Sequence, residues 1–317
     1  MTKIFVISLH KSMTRSTDML LSMLGYCTLH FPKFFAGRNL LEAVRGFENQ
    51  PERVVDELAP VINNRDVLSD VPIPGLYREL SHRWPNSCFI LVTRDPWKWA
   101  QSVRNHLKKR DLSPFNQIQY RLYLESAHNN LSKIDEAELA SVHTRHTKAV
   151  QTFFETELKE PHRLCVASMD EGEVGEHICR FLGHPPRPLP TLTGRTSEQE
   201  LSVIKTWVSV RPDKADAHYL LASNLIYQNE LVTAQKHLEQ AIVAEPDQPK
   251  PYVLLSELLE MQGDYSGVAK TAECALENGE CKPWLFNRAA KARFLSGSPV
   301  RAIGLWAKGF WRRQQRR

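Results

Sequence analysis

The sequence has no long apolar run. Its best early candidate, Ile4-Phe5-Val6-Ile7 followed by Ser8, Leu9, His10 and Lys11, is too short for a secretory leader or a membrane span. No later segment reaches the required length. A Cys-x-x-Cys pair is also missing: Cys27, Cys88, Cys165, Cys179, Cys274 and Cys281 are scattered along 317 residues. Cys274 and Cys281 stand seven apart with no His pair beside them, which speaks against zinc. Scattered cysteines in a chain of this length suit a reducing compartment, so a cytoplasmic protein is expected. Excess charge is small, at +5. Before Ser197 there are 25 Lys and Arg against 22 Asp and Glu, and after it 16 against 14. Neither half is basic enough to point to nucleic acid. The one dense basic run, Arg312-Arg313 and Arg316-Arg317, reads as a solvated tail. Finally, Gly-x-x-x-x-Gly-Lys-[Ser/Thr] is absent, which disfavours a kinase or nucleoside triphosphatase.

What is present is a globular composition, 42% hydrophobic and 24% charged, over a length sufficient for two domains. Ile4 to Leu9 reads as a short buried strand. A polar stretch from Lys11 to Arg15 follows, then an apolar helix pattern at Met19, Leu20, Leu21, Met23 and Leu24, stopped by Gly25. Cys88 to Val92 reads as a second buried strand running into Thr93-Arg94-Asp95-Pro96, with a helix from Trp97. Leu164 to Ala167 is a third strand. The stretch Val174 to Leu182 is a helix ending at Gly183. Strands alternating with helices argue for a parallel sheet covered on both faces. Four prolines between Gly183 and Thr196 mark the end of this domain and a linker.

Beyond the linker only helices are expected, and they repeat. Pro212 and Pro246 stand 34 apart. The positions Leu221, Ala222, Leu225, Ala234, Leu238, Ala241 and Pro246 recur 34 residues on as Leu255, Ser256, Leu259, Val268, Ala272, Ala275 and Glu280. They recur more loosely as Ala289, Ala290, Arg293, Ala302, Trp306 and Gly309. This period resembles tetratricopeptide repeats. A helix over Glu198 to Val210 fills the slot of a leading half repeat.

Chemistry concentrates in two places. The loop Leu9 to Thr17, between a buried strand and a helix N-terminus, offers one ammonium, one guanidinium and four hydroxyls to an anion. Arg94 stands at another strand end, with Ser102 eight residues on in the following helix. Strand carboxyl ends line one face of an open parallel sheet, so both places belong to one crevice.

The loop together with Arg-x-Pro and the distant Ser resembles the sulfotransferases that use 3′-phosphoadenosine 5′-phosphosulfate (PAPS). Leu24-Gly25-Tyr26, His30-Phe31-Pro32, Asp70-Val71-Pro72 and Phe89 to Trp99 look like a compact bacterial branch of that family, and the likeness spans roughly 1–190. It implies a P-loop-type three-layer α/β/α sandwich over 1–190, a linker at 191–197 and an all-α domain of helical repeats over 198–317. It implies that Lys11, Ser12, Met13, Thr14, Arg15 and Ser16 hold the 5′-phosphosulfate, and that Arg94 and Ser102 hold the 3′-phosphate. The product would be adenosine 3′,5′-bisphosphate (PAP). The acceptor, a hydroxyl or an amine, needs a base, and Asp70 occupies that place, with His30 and His106 as alternatives. A helix cap for Ile73 to Leu80 is the other reading of Asp70. No metal is implied. Two residues depart from the family loop: His10 stands for the usual Pro, and Met13 for the usual Gly. Met13 favours a rival reading, an inactive nucleotide-binding scaffold acting through its repeats; a kinase is the second rival. The repeats are expected to hold a macromolecular acceptor or a second copy.

Overall fold

The computed structural model describes residues 2–107, 111–121, 123–124, 134–192, 198–280 and 282–314. Cys281, Arg316, Arg317 and positions 193–197 of the expected linker lie outside them. The chain separates into two compact units: Met1–Lys33 with Leu40–Leu192, and Phe34–Asn39 with Thr193–Arg317. No described helix is long and apolar enough to cross a membrane.

In chain order the first unit contains β1 (Ile4–Val6), α1 (Thr14–Met23) and β2 (Thr28–His30). The two-residue strands β3 (Phe34–Phe35) and β4 (Arg38–Asn39) belong to the second unit. The first unit resumes with α2 (Leu40–Ala43), α3 (Pro51–Asn64), β5 (Val67–Ser69), α4 (Tyr77–Arg83), β6 (Cys88–Thr93), α5 (Pro96–Leu107), α6 (Pro114–Tyr120), α7 (Glu136–Thr152), β7 (Leu164–Ser168) and α8 (Val174–Phe181). Five strands form one parallel sheet in the order β2-β5-β1-β6-β7. Ile4 pairs with Val67 on one side and Cys88 on the other, and Phe89 pairs with Leu164.

Strand alternation sorts the side chains into two cores. Ile4, Val6, Ile90, Val92, Cys165 and Ala167 pack with Leu20 and Leu21 of α1 and Ile178 and Cys179 of α8. Phe5 and Phe89 point the other way, where Phe89 meets Phe154 just beyond α7, with ring centroids 4.8 Å apart. The result is the three-layer α/β/α sandwich. From β1 the chain leaves toward β2 and β5, and from β6 it leaves toward β7. The strand order therefore reverses between β1 and β6, and the crevice of such a sheet opens at their carboxyl ends. The proline-rich segment after α8 lies hard against Gly175: a Cβ there would stand 2.3 Å from the Leu189 nitrogen and 2.5 Å from the Arg187 oxygen, so only glycine fits.

The second unit continues with α9 (Glu198–Val210), α10 (Ala215–Tyr227), α11 (Leu231–Ala244), α12 (Pro249–Met261), α13 (Tyr265–Glu277), α14 (Pro283–Leu295) and α15 (Pro299–Gln314). Helices α10, α12 and α14 begin 34 residues apart, as do α11, α13 and α15, so three helical hairpins repeat with the period of the sequence. In the first two hairpins the six helical positions of the repeat are buried, while Pro246 in the loop is exposed. The third departs at two of the six. Arg293 replaces leucine and makes a double hydrogen bond to Glu273, both 2.6 Å, while Trp306 stays 41% exposed. Helix α9 packs Leu201, Ile204 and Trp207 inward as a half repeat. The β3–β4 hairpin sits on the loops between repeats: Asp247 accepts from the Ala36 N–H at 2.7 Å, and Gln248 donates to the Phe34 carbonyl at 3.1 Å.

Buried histidines tie α6 and α7 to the chain just after β1. His146 of α7 donates from Nε2 to the Ile7 carbonyl at 2.9 Å and accepts at Nδ1 from the Tyr123 hydroxyl at 3.2 Å. His10 accepts at Nδ1 from Gln119 at 3.0 Å and donates to the Tyr120 hydroxyl at 3.2 Å. Burial lowers His10 and His146 to about 4, and burial followed by the charge of Arg94 does the same for His143. Above an unfolded histidine value near 6.5 these rings are neutral in both states. As pH falls from 6.5 toward 4, the unfolded chain takes up protons that the folded chain refuses, so stability drains away across that window. Each ring contributes roughly 2–4 kcal/mol of this loss. Urea unfolding between pH 7 and 4.5 should show a steep decline, shallower by about one proton in His146→Gln. A flat profile would contradict the buried neutral rings.

Candidate active site

After β1 the chain keeps company with β6. The Ile7 N–H donates to the Ile90 carbonyl at 2.8 Å, and the buried Ser8 hydroxyl accepts from the Val92 N–H at 2.7 Å. The backbone then reverses through Lys11 at φ 67° and Met13 at φ 54°. Both are left-handed, and neither is glycine. Each costs about 1–2 kcal/mol relative to an ordinary conformation, a cost that the surrounding structure must offset. Met13 stands where the family's loop has Gly, and the positive φ explains the usual Gly; here methionine takes that conformation.

Met13 is the N-cap of α1. No side chain caps this end, and the first turn holds no acid. The first-turn N–H groups, with the helix dipole behind them, are of the kind that suits an anion. The Ser12 and Thr17 hydroxyls there are buried and have no hydrogen-bond partner in the described structure. Thr14 and Ser16 are buried beside them, while Lys11 and Arg15 are exposed and Met13 is half-buried.

Arg94 stands directly after β6. Its Nη1 donates to the Lys11 carbonyl at 2.8 Å, and the indole of Trp99 donates to the His10 carbonyl at 2.8 Å. The left-handed turn is thus held from below by α5 and β6. Arg94 is not committed to Asp95, whose carboxylate accepts the Lys98 N–H at 2.8 Å and caps α5. Ser102 is the seventh residue of that helix, half-buried, with its hydroxyl donating to the Lys98 carbonyl at 2.9 Å. Burial pulls Arg94 below the ordinary arginine value. It pulls Lys11 below the ordinary lysine value too, with Asp70 opposing and Arg15 assisting.

A second cluster lies at the carboxyl ends of β2 and β5. His30 Nε2 stands 3.3 Å from Asp70 Oδ2, and His30 Nδ1 stands 3.0 Å from the Ser69 hydroxyl. The Ser69 hydroxyl donates to the buried Asp18 of α1 at 3.4 Å, and Thr28 donates to the same carboxylate at 3.0 Å. The other Asp70 oxygen, Oδ1, is buried without a partner. Asp70 does not cap a following helix by its side chain: Ile73–Leu76 is a tight 3₁₀ turn without a side-chain cap, and α4 begins only at Tyr77. The structure therefore joins two residues, Asp70 and His30, that the sequence left as competitors. His106 stays exposed in α5, with its ring 6.5 Å from that of His10.

Of the eight non-glycine residues with positive φ among the described residues, Lys11, Met13, Phe31 and Asp70 all follow the carboxyl ends of β1, β2 and β5. Strained conformations gather where a surrounding structure holds a site in place. His10, Gln119, Tyr120 and Trp99, which carry the loop, have no local signal in the sequence; their partners lie about a hundred residues away.

The sulfotransferase domain family matches residues 3–195. No curated protein matches the chain. Among solved structures, one of MamA shares 15% identity over 55% of this chain and 95% of its own, with a TM-score of 0.36. Naa15/Naa10 bound to HypK-THB shares 16% identity over 51% of this chain and 21% of its own, with a TM-score of 0.30. The domain match covers the parallel sheet, the loop after β1, Asp70 and Arg94 together, and the chain belongs to the sulfotransferase domain family.

Proposed function

We propose that the protein transfers a sulfuryl group from PAPS to a hydroxyl or amine of an acceptor. The observation that carries the reading is the uncapped N-terminus of α1, entered through the left-handed residues Lys11 and Met13, with Arg94 bound to the Lys11 carbonyl where the strand order reverses. PAPS supplies a sulfuryl group on a phosphosulfate anhydride. The partnerless Ser12 and Thr17 hydroxyls and the uncapped helix end fit its 5′ oxyanions. In this reading Lys11, Ser12, Met13, Thr14, Arg15 and Ser16 bind that end. Lys11 and the loop N–H groups stabilise negative charge on the leaving phosphate. Arg94 and Ser102 bind the 3′-phosphate.

Asp70 is the base. In this reading His30 holds one of its oxygens, and the other, which has no hydrogen-bond partner, takes the proton of the acceptor. His30 then shares the proton and steadies the carboxylate. Residues 1–190 hold the transferase chemistry and 191–197 the linker. The repeats, 198–317, take no part in the nucleotide site and hold the acceptor or another partner. A cytoplasmic setting suits the scattered thiols. The scaffold reading rested on Met13, yet methionine takes the required left-handed conformation.

Arg94→Ala should weaken PAP binding by about 1.5–3 kcal/mol more in calorimetry, the worth of a charge-assisted contact, than it weakens binding of adenosine 5′-phosphate, which loses only the support that Arg94 gives to the Lys11 turn. Equal losses for both ligands would remove Arg94 from the 3′-phosphate. Asp70→Asn keeps the size of the side chain, so kcat should drop by roughly 10²–10⁴ with PAP affinity near that of the parent protein. Full turnover in Asp70→Asn, together with a dead His30→Ala, would make the histidine the base.

A further inference from the structure

Charge in the repeat unit is segregated along the chain. Residues 198–280 carry six Lys and Arg against fourteen Asp and Glu, whereas 281–317 carry ten Lys and Arg and no acid. Part of the second set is used internally: Arg288 pairs with Glu257 and Glu260, Lys291 with Glu260, and Arg293 with Glu273. Arg301, Lys308, Arg312 and Arg313 of α15 are exposed and form no ion pair among the described residues.

The same helix exposes an apolar face. Its inner side is held by buried Ala302 and Gly309, where a Cβ on Gly309 would stand 2.8 Å from Phe286. Outward lie Val300 at 84% exposure, Ile303 at 64%, Phe310 at 62% and Trp311 at 69%. Trp306 and Phe294, with rings 6.3 Å apart, and Leu295 extend the patch onto the end of α14. At about 100° per residue these side chains on α15 sweep one continuous sector. Arg313 borders it on one side, and Lys308, Arg301 and Arg312 on the other.

We propose that α15 and the end of α14 dock on an anionic membrane surface, lying in the interface without crossing it. An apolar sector rich in Trp and Phe and flanked by cations is the composition that sinks into the headgroup boundary. Aromatic rings favour that depth, and unpaired Lys and Arg are drawn to acidic lipid. The charges disfavour a two-fold contact of this face with itself, because a self-complementary contact would press four cations against four. Exposed Val300 and Ile303 give a phosphate backbone nothing to hold, which disfavours nucleic acid.

The test is co-sedimentation of the full chain with vesicles of phosphatidylcholine alone and of phosphatidylcholine mixed with phosphatidylglycerol. The protein should pellet with the mixed vesicles, stay in solution with the neutral ones, and be released as salt is raised. Ile303→Glu/Phe310→Glu and Arg312→Glu/Arg313→Glu should each cut partitioning about tenfold or more with an unchanged circular dichroism spectrum. Both pairs lie on the exposed face, and the salt dependence of the parent protein stands as a measure independent of either. Failure to pellet with either vesicle, or equal pelleting with both, would overturn the proposal. So would a concentration-dependent dimer abolished by Ile303→Glu/Phe310→Glu, or duplex binding lost in Arg312→Glu/Arg313→Glu.

Discussion

The first unit depends on one strained turn, the reversal of the backbone between β1 and α1. Two non-glycine residues, Lys11 and Met13, sit at positive φ so that the N-terminus of α1 opens toward the carboxyl edge of the sheet. The turn is held from several sides. Arg94 and Trp99 donate to the carbonyls of Lys11 and His10; Gln119 and Tyr120 bind the His10 ring. His146 grips the Ile7 carbonyl, and Ser8 ties the strand extension to β6. Most of these groups are buried and hydrogen-bonded, so the turn has a fixed shape. An anion site proposed there would lose little ordering entropy on binding.

Much of this architecture was legible in the sequence, and what was legible follows from physics. Strands β1, β6 and β7 show as apolar runs because the sheet buries them on both faces. Strand β2 is only Thr28–His30, a mostly polar triplet that no periodicity reveals. The loop after β1 and the Arg94 segment were readable because a strand end followed by a helix is a local feature. The pairing of His30 with Asp70 was not, since it joins residues forty apart through the neighbouring strands β2 and β5. Competing assignments of a base become one dyad only when the sheet order is known. Likewise the hundred-residue reach from His10 to Gln119 and Tyr120 left His10 looking like a mere replacement for proline.

The repeats were legible by period alone, because each hairpin buries the same small and large positions against its neighbour. The weak third repeat has a structural reason. Arg293 in a leucine slot finds Glu273, and Trp306 turns outward. Those departures accompany the change from an acidic to a basic stretch, so the third hairpin differs from the first two in both packing and charge. The β3–β4 hairpin, lodged on the inter-repeat loops through Asp247 and Gln248, has no sequence signature, since its four bridging residues form no pattern. The division of labour follows the chemistry: strain and unpaired polar groups collect in one unit, and an exposed apolar and basic face in the other.

The central claim is that the turn after β1 and the end of β6 together hold one nucleotide. Amide hydrogen exchange on the full chain, with and without saturating PAP, tests it most directly. The account predicts slowed exchange over residues 12–17 and at the junction of β6 with α5, and no change within 215–277. Protection confined to the helical repeats, or none over residues 12–17 at saturation, would contradict it.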